Sequence, residues 1–140
     1  MNKLVLVAAC ALVDASGRVL LAQRPKGKPM AGLWEFPGGK VEPGESPEAC
    51  LIRELGEELD MEVLPSSLKP LSFSSHAYGA EEGNFNILLL LYICRLWRSG
   101  PTPREAQTLS WVRPADLRKY PMPAADLPLI DPLCDAVTVI

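Results

Sequence analysis

The stretch GGKVEPGESPEACLIRELGEELDM, residues 38–61, decides the local fold and the chemistry of this 140-residue chain. Two glycine-containing loops lead to Ser46 and Pro47. These two residues favour a helix start, because a serine caps the first turn and a proline suits its first position. The apolar residues that follow recur at helical spacing. The pattern therefore predicts a helix from Pro47 to about Asp60.

The predicted helix has an apolar side and an acidic side. The apolar side chains that would pack on a sheet are Leu51, Ile52, Leu55 and Leu59. Three carboxylates share the opposite arc at spacings of three and four residues, Glu54, Glu57 and Glu58. Like charges at this spacing destabilise a helix by roughly 0.2–0.5 kcal/mol per pair. A solvated acidic surface is one explanation. A site for a hard divalent cation such as Mg²⁺ or Mn²⁺ is the other, because the preceding loop brings Glu45 and backbone carbonyls near the same face.

The composition places the chain among ordinary globular domains. Hydrophobic residues make up 48% of it and charged residues 22%, and the net charge is -3. A chain of this length builds a core without disulfides or a structural metal, so residues 1–140 are expected to form one domain. No run of Lys and Arg suits a phosphate backbone, which argues against a nucleic-acid polymer as the partner.

The cysteines, the histidine and the apolar runs exclude other classes of protein. The four cysteines are scattered without a Cys-x-x-Cys pair, and we expect reduced thiols in the core. His76 is the only histidine, which disfavours Ser/His or Cys/His nucleophilic chemistry. No apolar run approaches the roughly 20 residues of a membrane span, and the run before Cys10 is too short for an export signal. We expect a cytoplasmic protein that does not contact the membrane.

The segments around residues 38–61 alternate between strand and helix patterns. Strands are expected over residues 4–13, 18–24, 33–36, 68–75, 85–97 and 109–112, and further helices over residues 114–120 and 126–137. An Asp-Ala-Ser-Gly turn predicts that the first two strands form a hairpin. The apolar run from Ile87 to Cys94 is typical of a strand that is covered on both faces. Together these patterns indicate an α/β fold with a mixed sheet.

The spacing within residues 38–61 resembles the signature of the Nudix hydrolases, which cleave nucleoside-diphosphate-linked pyrophosphates. The matching positions are Gly39, Glu45, Arg53, Glu54, Leu55, Glu57 and Glu58. The resemblance implies the Nudix fold, an α/β/α sandwich around a mixed β-sheet. The sequence departs from the signature at Asp60, where the family usually has glycine. We expect this difference to alter the helix cap more than the chemistry.

The resemblance also implies roles for the matching residues. The groups that would bind Mg²⁺, or Mn²⁺, are the carboxylates of Glu54, Glu57 and Glu58 and the carbonyl of Gly39. Arg53 would orient the glutamates, and Glu45 would support the loop. A metal-bound water would then attack a phosphorus atom. Whether Glu54 or a carboxylate outside the helix accepts the proton stays open.

Segments outside this signature are similar to a narrower group, the MutT-like nucleoside triphosphate pyrophosphohydrolases. They are Gln23-Arg24, residues 34–40, Glu105 before Trp111, and residues 121–128. The similarity implies triphosphate contacts from Arg24 and Lys40, a further metal ligand or base at Glu105, a pocket wall at Phe36 and a purine contact at Asp126.

Four of these five outer residues also have a simpler structural explanation. Arg24 is predicted at the end of a strand, where an ordinary surface cation explains it as well as a phosphate contact does. Lys40 is a counter-charge for the nearby glutamates, and Glu105 is a solvated side chain in a polar loop. Phe36 is a core ring, since aromatic side chains are more often buried than used to stack on a base.

The activity that the resemblance implies is hydrolysis of 8-oxo-dGTP to 8-oxo-dGMP and pyrophosphate, which cleans the nucleotide pool and avoids mutations during DNA replication. An ionised Asp126 accepts hydrogen bonds, which suits the ring N–H and amino donors of guanine or its 8-oxo form, and a protonated one would also donate. Alternatives are another nucleotide (CTP, a methylated pyrimidine nucleotide or ADP-ribose) and a non-catalytic nucleotide-binding domain. Gly38-Gly39-Lys40 lacks the spacing of a kinase-like phosphate loop. We expect a monomer or a weak homodimer.

Overall fold

The computed structural model describes residues 3–138, and within them the chain forms two α-helices and seven strands. The strands are β1 (Lys3–Leu12), β2 (Val19–Gln23), β3 (Trp34–Glu35), β4 (Gly38–Lys40), β5 (Lys69–Tyr78), β6 (Phe85–Cys94) and β7 (Thr108–Val112). The helices are α1 (Pro47–Leu59) and α2 (Ile130–Thr138). Short 3₁₀ turns occupy Pro65–Ser67, Ala80–Glu82, Pro114–Lys119 and Leu127–Leu129. Among the described residues, no helix combines the length and apolar character that a bilayer crossing needs.

The strands form two sheets. The larger sheet has the order β4-β1-β6-β5 and is mixed, because β1 runs parallel to β6 and the other pairs are antiparallel. The smaller sheet has the order β3-β2-β7 and is antiparallel. β1 and β6 are the central strands of the larger sheet, which explains their long apolar runs.

The core consists of two apolar layers, one on each side of the larger sheet. Ala8, Cys10 and Leu12 of β1 belong to the layer that includes Leu51 and Leu55 of α1. Their neighbours on the opposite face of β1 belong to the other layer, and the residues that carry it are Ala9, Ala11, Leu129, Ile130 and Leu133. The expected α/β/α sandwich around a mixed sheet is therefore confirmed. The four cysteines are free thiols, three of them buried.

The predicted hairpin between the first two strands is wrong. β1 and β2 lie in different sheets and share one isolated bridge, Val13 to Val19. β1 pairs with β4 along Val7–Ala9 on one edge and with β6 along its whole length on the other. β2 pairs with β3 and β7 instead.

Three other predicted elements differ from the structure in their bounds or type. The strand expected over residues 85–97 ends at Cys94. The chain beyond it forms an isolated bridge between Arg98 and Glu62. The short helix expected over residues 114–120 is a 3₁₀ helix. The last helix begins at Ile130 rather than at residue 126, because a 3₁₀ turn that contains a proline precedes it.

Candidate active site

Helix α1 carries most of the candidate site, and its start is the predicted one. The Oγ of Ser46 accepts a hydrogen bond from the backbone N–H of Ala49 at 3.1 Å, and Pro47 is the first helical residue. The apolar side chains Leu51, Leu55 and Leu59 are fully buried. The packing of this apolar side holds the acidic side toward the loops that precede the helix.

Arg53 joins the helix to the preceding loop. Its guanidinium donates to both carboxylate oxygens of Glu45, at 2.8 and 2.9 Å, and to Oε1 of Glu54 at 2.8 Å. It also lies 3.6 Å from Oε2 of Glu57. These contacts hold the pKa of Glu45 down to about 2, first through the hydrogen bond from Arg53. Arg53 therefore contacts three of the four glutamates that the spacing singles out.

Gly39 lies directly beneath the carboxylate of Glu54. It pairs with Ala8 in the β1–β4 ladder, and a Cβ at this position would lie 2.6 Å from Oε1 of Glu54. That separation is far inside van der Waals contact, so glycine is the residue that lets the carboxylate approach the strand. The carbonyl of Gly39 accepts a weak hydrogen bond from Sγ of Cys50 at 3.5 Å.

The surroundings of Glu58 disfavour the charged form of its carboxyl group. Its Oε2 is buried and has no hydrogen-bond partner among residues 3–138. Burial raises the pKa of this carboxyl well above its ordinary value, and the adjacent carboxylate of Glu54 and the charges of Glu105 and Glu35 raise it further. Four carboxylates thus act on one another at this position.

A cleft beside Glu58 brings positive and negative side chains together. Its charged and amide lining consists of Gln23, Arg24, Lys28, Glu35, Glu58, Glu105 and Gln107. The guanidinium of Arg24 donates to both oxygens of Glu35, at 2.9 and 3.0 Å, and to the carbonyl of Pro29 at 3.1 Å. The bidentate pair fixes the orientation of Arg24 at the cleft wall.

The remaining predicted substrate residues, Asp126, Phe36 and Lys40, do not line this cleft. Asp126 is 6% exposed, and burial followed by the charge of Glu35 raises its pKa to about 7. Phe36 is 3% exposed and belongs to the core. Lys40 is exposed at the end of β4 and does not belong to the cleft lining given above.

The segment that holds Asp126 is fixed by two hydrogen bonds to strand β5. The hydroxyl of Ser74 donates to the carbonyl of Ala125 at 2.5 Å, and the backbone N–H of Ala125 donates to the hydroxyl of Tyr78 at 3.0 Å. Buried polar groups that are paired in this way give a defined backbone position. The backbone next to Asp126 is therefore held in place by strand β5.

Comparison with known proteins identifies the family. The model of the NUDIX domain matches residues 3–133. This chain belongs to the Nudix family. A CTP pyrophosphohydrolase of Escherichia coli K12 is 38% identical to it over 86% of this chain and 85% of the relative. An 8-oxo-dGTP diphosphatase of Proteus vulgaris is 46% identical over 71% of this chain and 83% of the relative.

A solved structure shows the same relationship at the level of the fold. The MutT Nudix hydrolase of Burkholderia pseudomallei superposes on this Nudix chain with a TM-score of 0.79 and 28% sequence identity, covering 93% of this chain and 98% of that one. The expected class, a MutT-like Nudix pyrophosphohydrolase, is therefore confirmed. That residues 1–140 form one domain stays a prediction, since it includes residues outside the described part of the chain.

Nudix hydrolases generally use divalent metal ions, and the residues of this Nudix chain fit such an ion. A bound cation would pair with the unpartnered oxygen of Glu58 and would offset the negative charges around it. Carboxylate oxygens are the ligands that hard cations prefer. Among residues 3–138, no three His, Cys, Asp or Glu side chains are already gathered as a ligand set. One reason is that Glu54 is turned toward Arg53.

Two cleft residues of this Nudix protein were missed by sequence reasoning. Glu35 lies in the segment 34–40 that resembles the MutT-like group, but the sequence assigns it no role of its own; its register opposite Ala22 in β2 places it near Arg24. Gln107 was not considered at all, because a single glutamine in a polar loop carries no pattern. Its contacts appear only in the folded chain.

Proposed function

We propose that this Nudix hydrolase is a Mg²⁺-dependent nucleoside triphosphate pyrophosphohydrolase that converts 8-oxo-dGTP to 8-oxo-dGMP and pyrophosphate. The observation that carries the proposal is the cleft, where Arg24 and Lys28 face the carboxylates of Glu58 and Glu105. Cations suit phosphate oxygens, and carboxylates suit the metal ions that accompany phosphates. Both halves of a metal-nucleotide site are thus present within one concave surface.

The metal would be held by the acidic side of helix α1 and its neighbours. The groups that would supply oxygen ligands are Glu54, Glu57, Glu58, Glu105 and the carbonyl of Gly39. When bound, a divalent cation offsets the charge of the phosphates and activates water. Arg53 positions the carboxylate of Glu54 through the 2.8 Å contact. Glu45 anchors Arg53 in turn.

Proton transfer is best assigned to Glu105. One oxygen of Glu54 is already occupied by the guanidinium of Arg53, whereas the side chain of Glu105 is exposed and lines the cleft. A general base needs an oxygen within reach of the water that it deprotonates. If Glu105 acts as the base rather than as a metal ligand, it does so without breaking an ion pair.

The base of the nucleotide would lie toward Asp126, with Phe36 beside it. A pKa near 7 lets Asp126 exist in both protonation states at neutral pH. The ionised form accepts from the ring N–H and amino donors of 8-oxoguanine, and the protonated form also donates. Arg24 and Lys28 would contact the phosphates in the cleft, and a phosphate contact from Lys40, which lies outside the cleft lining, stays a prediction.

CTP is the second candidate substrate. The relative of 38% identity that covers 86% of this chain is a CTP pyrophosphohydrolase. The exocyclic amino group of cytosine would donate to the same carboxylate of Asp126. The structure of the phosphate half of the cleft is compatible with either base.

A nucleotide panel tests the proposal. Purified protein with Mg²⁺ is incubated with 8-oxo-dGTP, dGTP, CTP, a methylated pyrimidine nucleotide and ADP-ribose, and the products are separated by anion exchange. We expect monophosphate and pyrophosphate, with kcat/KM for 8-oxo-dGTP at least about tenfold above that for dGTP. Release of inorganic phosphate alone would contradict the reaction, and a higher kcat/KM for CTP would contradict the substrate.

The non-catalytic alternative is tested with the same assay and the Glu57→Gln variant. Every carboxylate of the signature is present in this chain, so the wild type is expected to hydrolyse nucleotide and the variant to lose most of the activity. Nucleotide binding without turnover in the wild type would favour the alternative. The cytoplasmic location, the monomer or weak homodimer and the lack of a nucleic-acid partner stay predictions.

A further inference from the structure

The loop that carries Glu105 lies on the C-terminal end of helix α1. The backbone N–H of Thr102 donates to the carbonyl of Leu59 at 2.7 Å, and that of Arg104 donates to the carbonyl of Glu58 at 2.9 Å. These are carbonyls of the last helical turn, which lack partners inside the helix. The loop therefore completes the helix end and brings its own residues beside Glu58.

An ion pair adds to this attachment at the position where the chain departs from its family. Asp60 takes a left-handed backbone conformation with φ of 56°, and its Oδ2 lies 2.8 Å from Nη2 of Arg104. Both side chains are more than half exposed, so the pair contributes little stability. Its loss is therefore not expected to move Glu105, one residue further along the loop.

Gln107 connects the helix and the backbone of Glu105 with one side chain. Its Nε2 donates to the carbonyl of Glu58 at 3.1 Å, and its Oε1 accepts from the backbone N–H of Glu105 at 2.8 Å. The side-chain amide of Gln107 thus links the backbone of Glu58 to the backbone of Glu105. Glu105 itself lies in an irregular segment, outside any strand or helix.

We infer that Gln107 is a positioning residue that sets the place of Glu105 relative to Glu58 in the cleft. The carbonyl of Glu58 already accepts a hydrogen bond from Arg104, so Gln107 is not needed to satisfy the helix end. The N–H of Glu105, by contrast, is held by Gln107. This inference rests on the proposed function, because it assumes that Glu105 takes part in the reaction.

The first test replaces Gln107 with leucine, which has a similar volume and no hydrogen-bonding atoms. We expect kcat to fall about 10- to 100-fold, since a carboxylate that is displaced from its working position loses most of its effect. We expect KM for the nucleotide to change less than about twofold, because the phosphate contacts remain. Exchange of the Glu105 amide proton, followed by NMR without nucleotide, is expected to accelerate at least about tenfold.

A double-mutant cycle separates this role from a general structural one. If Gln107 acts through Glu105, then Gln107→Leu causes no further loss of kcat in a Glu105→Gln background. Arg104→Gln is the matched control, because it removes a contact of the same loop and leaves the Gln107 amide intact. It is expected to retain kcat and the slow exchange of the Glu105 amide.

The outcomes distinguish the inference from the proposed function. Full activity of Glu105→Gln would overturn the role of Glu105 itself, and with it the inference. An impaired Glu105→Gln variant together with an unimpaired Gln107→Leu variant would overturn the inference alone. Additive losses in the double variant would show that Gln107 acts independently of Glu105 and would overturn it as well.

Discussion

The guanidinium of Arg53 donates two parallel hydrogen bonds to Glu45, from Nε to Oε2 at 2.8 Å and from Nη2 to Oε1 at 2.9 Å. The same side chain reaches Glu54 with its third nitrogen. One residue thereby fixes the loop before the helix and the carboxylate on the helix surface at once. The geometry depends on the planar fork of an arginine.

Replacing Arg53 with lysine tests this dependence. An ammonium group does not reproduce two parallel bonds to Glu45 and one to Glu54, so the two carboxylates lose their common orientation. We expect kcat to fall about 10- to 100-fold with folding retained. Steady-state kinetics and circular dichroism provide the measurements.

Arg113→Lys is the matched control for this prediction. Arg113 also donates through two nitrogens to one carboxylate, that of Asp116, at 3.0 and 2.8 Å, but on the exposed surface. Its replacement is expected to leave the kinetics unchanged. If both variants, or neither, lost activity, the special role of Arg53 would be refuted.

Gly39→Ala tests the close approach of Glu54 to strand β4. The added methyl group would lie 2.6 Å from Oε1 of Glu54, so the carboxylate must move away. We expect loss of most of the activity and weaker binding of Mn²⁺, measured by electron paramagnetic resonance. Gly56→Ala is the control, because a Cβ there meets nothing closer than 3.8 Å.

The control variant has its own expected result. Gly56 lies inside helix α1, where alanine is favoured over glycine by about 0.5–1 kcal/mol. Gly56→Ala should therefore raise the free energy of unfolding and keep the activity. Equal losses of activity in the two variants would contradict the steric argument for Gly39.

Glu58→Gln is expected to stabilise the metal-free fold and to weaken metal binding. The pKa of Glu58 is raised by burial and by the neighbouring carboxylates, so the penalty for its charge is absent below the ordinary carboxyl pKa and grows as pH rises. Thermal melts at pH 8 without metal should give the variant a higher Tm than the wild type.

With added Mg²⁺, the wild type should then have the higher Tm of the two proteins. A cation that binds only the folded state raises Tm by mass action, and the wild type should gain more than the variant. Glu62→Gln is the control, because Glu62 is exposed just beyond the helix. A Mg²⁺ response of Glu58→Gln as large as that of the wild type would rule Glu58 out as a ligand.

Asp126→Asn should change the pH dependence of stability. The folded pKa of Asp126 is raised from 3.8 to about 7, so wild-type stability falls as pH rises from about 4 to about 7. The variant lacks this loss and should be more stable than the wild type at pH 8, by at most about 4 kcal/mol. At pH 3.5 the two should agree. Urea unfolding at both pH values measures the difference, and an equal difference at the two pH values would refute the prediction.

Several parts of the fold follow from local sequence. The start of helix α1 depends on Ser46 and Pro47, and its buried side depends on apolar residues three and four positions apart. These signals act between residues that are close in sequence, so they are recognisable without knowledge of the tertiary structure. The covered strand β6 is likewise evident from its unbroken apolar run.

Strand pairing did not follow from local sequence. The turn after β1 is typical of a hairpin, yet β1 pairs with β4 and β6, and β2 continues into the smaller sheet. Competition among strands for the two edges is a property of the whole chain. The short β4, whose sequence is Gly-Gly-Lys, has no strand pattern of its own and pairs because of its position beside β1.

The sequence by itself determined the family, the helix and the spacing of Glu54, Glu57 and Glu58, because these depend on neighbours along the chain. Only the tertiary structure decided that Oε2 of Glu58 and the side chain of Asp126 are buried, that Arg24 is oriented by Glu35, and that Gln107 links the backbone of Glu105 to the helix. Burial and long-range hydrogen bonds depend on which distant segments pack together. A carboxylate in a sequence has an ordinary pKa, and the fold around it changes that value.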